Sequence, residues 1–73
     1  MAADSVYKVI ELIGTSSESW EKAARTAVER AAESLRDLRI AEVTAQDVQL
    51  KDCKVELFRT KLKVSFKYEK GSD

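Results

Sequence analysis

The sequence predicts an α+β fold whose elements follow in the order β-α-β-β. Three observations support this prediction. A run of β-branched and aromatic residues opens the chain, apolar residues then recur at helical spacing, and strict alternation returns near the end. With 73 residues the chain has room for one domain, which we expect to span residues 1–73 with an ordered part of about 5–69.

The first strand is expected from Ser5 to Ile13, where apolar side chains occupy both alternating phases. One phase holds Val6, Ile10 and Leu12, and the other holds Tyr7, Val9 and Ile13. Such a strand needs apolar cover on both faces. Gly14 interrupts the pattern, and Thr15 with Glu18 matches a capping box. We therefore expect a helix to begin at about Ser17.

The helix is predicted from an apolar stripe with charged residues on the opposite side. The stripe comprises Trp20, Ala23, Ala24, Ala27, Val28, Ala31, Leu35 and Leu38. Its alanine-rich middle suits a helix that lies close against a sheet. The pattern predicts a helix of about 22 residues, roughly 33 Å long. We interpret Trp20 as a core residue because it belongs to this stripe.

Two strands should follow the helix. The first is expected from about Arg39 to Leu50, and a β-bulge is expected there because its apolar residues do not share one phase. A turn at Lys51–Lys54 leads to the last strand, Val55–Glu69. Its apolar face holds Phe58, Leu62, Val64, Phe66 and Tyr68, and its basic face holds Arg59, Lys61, Lys63 and Lys67.

One helix can cover only one face of this sheet. The apolar residues on the second face of the first strand then meet either water or another subunit, and exposure to water is unfavourable. The sequence therefore predicts that the uncovered sheet surface is an oligomer interface.

Composition narrows the function. Thirteen basic and thirteen acidic residues give no net charge, which argues against nucleic-acid or membrane-surface binding. The single cysteine, Cys53, excludes an internal disulfide, and no signal segment or long apolar span is recognisable, so we expect a cytoplasmic protein. No histidine is present to act as a general base, so we expect no enzymatic activity.

The run from Val6 to Ser16 resembles the N-terminal signature of the dodecins, a strand followed by Gly-Thr-Ser and a helix. The likeness continues through residues 31–38, Glu42-Val43 and residues 61–67, and covers roughly Val6 to Glu69. It implies a three-stranded antiparallel sheet partly wrapped around one helix, and subunits that assemble into a hollow homododecamer. Many dodecins bind flavins such as FMN or riboflavin at subunit interfaces and store them.

By the same resemblance, the ligand pocket contains Arg39, Ile40 and Arg59. Ile40 stands where flavin-binding dodecins carry a tryptophan that stacks on the flavin ring. Arg59 stands where they carry a glutamine that hydrogen-bonds the flavin, and Asp47 replaces a nearby arginine. Because the aromatic platform is missing, we expect flavin binding to be weak or lost.

The stretch Arg39-Ile40-Ala41, the pair Gln46-Asp47 and residues 61–67 resemble the calcium dodecins, which also lack that tryptophan. This likeness makes Ca²⁺ a second candidate ligand, held by Asp47, Gln46 or Glu42 with carbonyls, water or a neighbouring subunit. The alternative is that Asp47 is a solvated or ion-paired strand carboxylate. We thus expect a non-enzymatic small-ligand binding or storage shell, or alternatively a calcium-binding or purely structural assembly.

Overall fold

The computed structural model describes residues 4–68 and contains one helix and a three-stranded sheet. The elements are β1 (Tyr7–Ser16), α1 (Trp20–Ala32), β2 (Leu38–Lys51) and β3 (Lys54–Lys67). β3 lies in the middle of the sheet and pairs antiparallel with both neighbours. The predicted α+β fold of β-α-β-β order is therefore confirmed.

The structure does not test two predicted boundaries, the end of the last strand and the limits of the domain. The predicted end of the last strand, Glu69, lies outside the described residues. The division of the chain into a single domain over residues 1–73 stays a prediction. Among the described residues, no helix combines the length and apolar character required to cross a membrane.

The helix begins later and is shorter than predicted. It spans 13 residues, and its N-cap is Ser19, whose side chain accepts from the amide of Lys22. The predicted capping box was wrong because Thr15 and its neighbour Ser16 still pair with β3. The helix also ends before the last two leucines of the stripe, with Glu33 as its C-cap. Asp37 then adopts a positive φ of 56°, which a right-handed α-helix does not allow, so no helix could continue to Leu38.

Gly14 lies within β1 and does not end it, so its interpretation as a strand breaker was wrong. The reason for glycine at this position is the close approach of α1. A Cβ built on Gly14 would clash with the main-chain oxygen of Ala23 and lie 2.9 Å from the Cβ of Ala27. The missing side chain therefore lets the helix pack directly on the strand.

The core forms between the alanine side of α1 and alternate residues of β3. Its buried apolar members are Ala23, Ala27, Ala31, Leu62 and Val64. Ile10 and Leu12 of β1 pack against this cluster. The helix contacts β1 and β3 more extensively than β2. As predicted, one phase of β1 faces the helix and the last strand is half buried.

Among residues 4–68, no element covers the second face of the sheet, and we call it the open face. On it, Tyr7, Val9, Ile13 and Ile40 are between 46% and 65% exposed. Their β3 partners are Lys67, Ser65, Lys61 and Ser65, respectively. The predicted uncovered apolar surface is thus present.

The β2–β3 hairpin contains three register irregularities, in agreement with the expectation of a bulge in β2. Arg39 and Thr44 are the residues of β2 left without a β3 partner, and Glu56 is the corresponding residue of β3. At the turn, Asp52 and Cys53 have positive φ angles of 54° and 62°, which is the backbone of a type I′ hairpin.

Candidate functional site

An ion pair between Arg59 and Asp47 lies on the open face. The two residues are register partners on β3 and β2. The Nε of Arg59 donates to Oδ1 of Asp47 at 2.7 Å, and its Nη2 donates to Oδ2 at 3.0 Å. The Nζ of Lys61 lies 3.8 Å from the same Oδ2. Two cations therefore share one partly exposed carboxylate.

The ion pair shifts the ionisation of both partners. Hydrogen bonds from Arg59 hold the pKa of Asp47 below its usual value of 3.8, against an opposing effect of partial desolvation. The positive charges of Arg59 and Lys61 act in the same direction as these hydrogen bonds. The same pair raises the pKa of Arg59. Asp47 is consequently a carboxylate, and Arg59 a guanidinium, at any physiological pH.

The pairing of Asp47 with Arg59 depends on a β-bulge. Near the turn, Leu50 pairs with Val55, and continuing this register would place Asp47 opposite Phe58. The unpaired Glu56 shifts the register by one residue, so that Asp47 instead pairs with Arg59. The sequence analysis left an ion-paired Asp47 open as an alternative but could not name its partner.

The start of α1 is fixed to the back of this site. The indole Nε1 of Trp20 donates to the main-chain oxygen of Asp47 at 2.9 Å, and the indole packs edge-on against Phe58. The buried Thr60 donates its hydroxyl to the main-chain oxygen of Trp20 at 2.8 Å. Trp20 is 37% exposed, so it lies at the margin of the core and not inside it.

Ile40 lies on the same face as Arg59 but at a distance. It lines a shallow groove of about 560 Å³ together with Val9, Glu11, Glu42, Lys63 and Ser65. Ser65, the β3 partner of Ile40, stands six positions beyond Arg59. That separation corresponds to about 20 Å of extended strand. Within one subunit, the predicted pocket residues Ile40 and Arg59 therefore do not meet.

Arg39, the third predicted pocket residue, is exposed and lies at a bulge between Leu38 and Ile40. The bulge interrupts the register at Arg39, so no residue of β3 stands directly opposite it. Arg39 is the chain neighbour of Ile40, so it also lies far from Arg59.

The predicted metal ligands do not converge within the subunit. Glu42 and Asp47 lie on the open face, opposite Lys63 and Arg59. Gln46 instead pairs with the buried Thr60, which faces the helix. Over residues 4–68, no group of three or more His, Cys, Asp or Glu side chains is placed to hold a metal ion. A site built from these residues would need ligands from another copy.

The geometry of residues 4–68 defines a class of small β-α-β-β subunit in which one face of the sheet is bare. Comparison with known proteins specifies this class further. The family model for Dodecin matches residues 6–69. The calcium dodecin of Mycobacterium tuberculosis is 52% identical over 63 residues, which is 86% of this chain and 89% of that protein.

Solved structures agree. A dodecin from Streptomyces coelicolor is similar with a TM-score of 0.89 and 36% identity, over 96% of this chain and all (100%) of that chain. The crystal structure of the Mycobacterium tuberculosis calcium dodecin gives a TM-score of 0.81 and 48% identity, over 94% of this chain and 99% of that chain. This chain belongs to the dodecin family, as its sequence motifs predicted.

Proposed function

We propose that this chain is the subunit of a hollow homododecamer that binds or stores a small ligand without catalysis. The observation that carries the proposal is the open face. Tyr7, Val9, Ile13 and Ile40 expose apolar surface there, and burial against sister chains would remove that surface from water. Leu50 and Val55, at the far end of the hairpin, add exposed apolar surface beyond the reach of the helix.

The proposed ligand pocket is shared between subunits. Ile40 and Arg59 lie on one face but about 20 Å apart along the strand direction. A small ligand can contact both types of residue only where Ile40 of one copy approaches Arg59 of another. This requirement supports an assembly whose ligand sites lie at subunit interfaces.

Flavin binding should be weak in this pocket. Ile40 offers no aromatic ring, and aromatic stacking is worth about 0.5–1.5 kcal/mol per pair beyond burial. The tryptophan of this chain, Trp20, does not substitute for it, because its indole packs on Phe58 and binds the Asp47 main chain. Arg59 is a charged guanidinium with donors but no acceptor, so it cannot act as the neutral partner that a glutamine would be, which both donates and accepts.

Restoring the pocket tests this explanation. The change is Ile40→Trp combined with Arg59→Gln, and the measurement is quenching of riboflavin and FMN fluorescence. Affinity should rise at least about tenfold over the wild-type protein, because both the stacking platform and the neutral partner return. A matched control is Ile40→Leu combined with Arg59→Gln, which restores the neutral partner without an indole and should give a clearly smaller gain. Equal affinity of the tryptophan variant and the wild type would contradict the explanation.

Calcium binding is the second candidate, favoured by the 52% identity to a relative named calcium dodecin. The solved structure of that relative is described as having a novel calcium-binding site. In this chain, Glu42 and Glu11 flank Lys63 on the open face, and a calcium site would need oxygen ligands from more than one copy.

A melting experiment separates the two candidates. If calcium binds, Ca²⁺ should raise the melting temperature, Mg²⁺ should do so less, and a chelator should reverse the effect. Glu42→Gln should abolish the rise, and Glu56→Gln, a neutralisation near the hairpin turn, should keep it. A melting temperature that is independent of Ca²⁺ while flavins bind would favour flavin storage.

The proposal also includes a lack of catalysis, a cytoplasmic location and no nucleic-acid or membrane partner. Lack of catalysis is supported by the absence of histidine from the sequence and by the exposed position of Cys53 in the hairpin turn. The lack of nucleic-acid or membrane partners stays a prediction based on the balanced charge of the chain. The cytoplasmic location stays a prediction of the sequence analysis.

A further inference from the structure

The charges of the open face are arranged unevenly along β3. At one end, Arg59 and Lys61 share the single carboxylate of Asp47, which leaves one positive charge in excess. Two residues further, Lys63 has Glu11 and Glu42 as its register partners on both neighbouring strands, which leaves one negative charge in excess. Of these two clusters, the one that contains Arg59 is net positive and therefore favours an anion over the one that contains Lys63.

Arg59 and Lys61 have side-chain N–H groups that the ion pair with Asp47 does not use. A guanidinium carries five N–H donors, and the ion pair engages only Nε and Nη2 of Arg59. Among the hydrogen bonds of residues 4–68, none uses Nη1 of Arg59 or Nζ of Lys61 as a donor. These nitrogens are free to donate to a ligand.

The guanidinium of Arg59 is held by Asp47, whose own position is fixed in turn. Asp47 fixes it through two hydrogen bonds, and the main chain of Asp47 is itself held by the indole of Trp20. A guanidinium with a fixed orientation loses less conformational entropy when it binds an oxyanion, and its fork matches phosphate and carboxylate oxygens.

We propose that Arg59 and Lys61 form a subsite for one anionic group of the stored ligand, either a phosphate monoester or a carboxylate. This inference rests on the proposed ligand-binding function and specifies the class of ligand. It also assigns Asp47 to the anion subsite, as the residue that partly neutralises and orients Arg59, and not to a metal site.

Calorimetric titration with inorganic phosphate and with acetate, at fixed ionic strength and pH 7, tests the subsite. The variants are Arg59→Gln and Lys61→Gln, and the matched control is Lys63→Gln, the same charge change on the same strand and face. Wild type and Lys63→Gln should bind the anion with equal affinity. Arg59→Gln should bind it roughly tenfold more weakly than wild type, and Lys61→Gln should show a smaller loss of affinity. The stronger of phosphate and acetate identifies the anionic group.

Equal affinities in all four proteins, or no saturable binding to any of them, would overturn the subsite. Circular dichroism of each variant shows whether it is folded. Should Arg59→Gln fail to fold, Lys61→Gln still decides the outcome.

Asp47→Asn separates the anion subsite from a cation site at the same residue. The asparagine keeps an oxygen that accepts from Arg59 but removes the negative charge. Binding of inorganic phosphate should therefore become about threefold tighter or more, because the positive charges of Arg59 and Lys61 are then no longer partly neutralised. Unchanged phosphate affinity in Asp47→Asn, together with loss of a calcium-induced rise in melting temperature, would instead assign Asp47 to a cation site and overturn its role in the anion subsite.

FMN and riboflavin separate failure of the subsite from failure of flavin storage, since only FMN carries a phosphate. Phosphate binding that requires Arg59, with neither flavin bound, supports the subsite and rejects flavin as the stored ligand. If FMN and riboflavin bind with equal affinity and inorganic phosphate does not bind, the subsite is overturned but the storage function still stands.

Discussion

The indole nitrogen of Trp20 donates to the main-chain oxygen of Asp47 at 2.9 Å, which ties the first residue of α1 to the strand that carries the Arg59 ion pair. The helix lies on one face of the sheet and the ion pair on the other. This hydrogen bond therefore links the helix on one face of the sheet to the strand position that carries the ion pair on the open face.

Replacing Trp20 by phenylalanine tests the contribution of this hydrogen bond. Trp20→Phe keeps an aromatic ring against Phe58 but removes the donor, so the free energy of unfolding should fall by about 1 kcal/mol. Trp20→Ala also removes the ring contact and should cost clearly more. Urea denaturation followed by circular dichroism measures both. A free energy of unfolding that is the same for Trp20→Phe and the wild type would show that the hydrogen bond contributes nothing.

Gly14 offers the sharpest test of the helix–sheet packing. Gly14→Ala places a Cβ against the main-chain oxygen of Ala23, which can move only if the helix shifts. We expect a destabilisation of about 3 kcal/mol, seen as a lower melting temperature. Thr15→Ala, at the next position on the exposed side of β1, should cost less than about 1 kcal/mol. An unchanged melting temperature for Gly14→Ala would mean that the helix lies further from β1.

The acid limb of the stability curve should depend on Asp47. Its pKa is lowered in the folded state, so its stabilising contribution is fully present above the usual carboxyl value of 3.8 and is lost as the pH falls through the folded pKa. Melting temperatures between about pH 2 and 7 should therefore show wild type above Asp47→Asn at neutral pH, with the difference vanishing in acid.

Removal of the partner provides the control for this pH dependence. Arg59→Gln abolishes the hydrogen bonds that lower the pKa of Asp47, so it should reduce the acid-dependent loss of stability in the same way. A difference between wild type and Asp47→Asn that is constant from acid to neutral pH would show that the ion pair does not contribute.

The hairpin turn should become more stable when Cys53 is replaced by glycine. Cys53 has a φ of 62°, a conformation that costs energy in residues with a Cβ. We expect Cys53→Gly to raise the free energy of unfolding by about 0.5–1 kcal/mol. Cys53→Ala keeps the Cβ and should give no comparable gain. Equal melting temperatures of the two variants would contradict a strained turn.

The order of the elements and the two faces of β1 could be predicted because they depend on local apolar patterns. Tyr7 and Val9 share one of the two phases predicted for this strand, and the structure leaves both exposed on the face away from the helix. Gly14 was misinterpreted because a glycine required by close packing looks the same in sequence as a glycine that ends a strand. The leucines after Ala32 extended the helical pattern although the chain had already turned.

The site was less predictable because it depends on register. The opposition of Asp47 and Arg59 arises from one unpaired residue, Glu56, and no local pattern around Glu56 indicates a bulge. The resemblance to dodecins identified both positions as changed, but not that the two new residues bind each other. The contents of a shared pocket depend on contacts between copies, which a single chain does not determine.

The central claim is that sister chains cover the open face of the sheet. Native mass spectrometry of the wild-type protein tests it most directly, because the subunit mass of 8.2 kDa makes each oligomeric state distinct. We predict a single dominant species with the mass of a homododecamer, together with any retained ligand. A dominant 8.2 kDa monomer at high protein concentration would contradict the claim and the shared ligand pocket that depends on it.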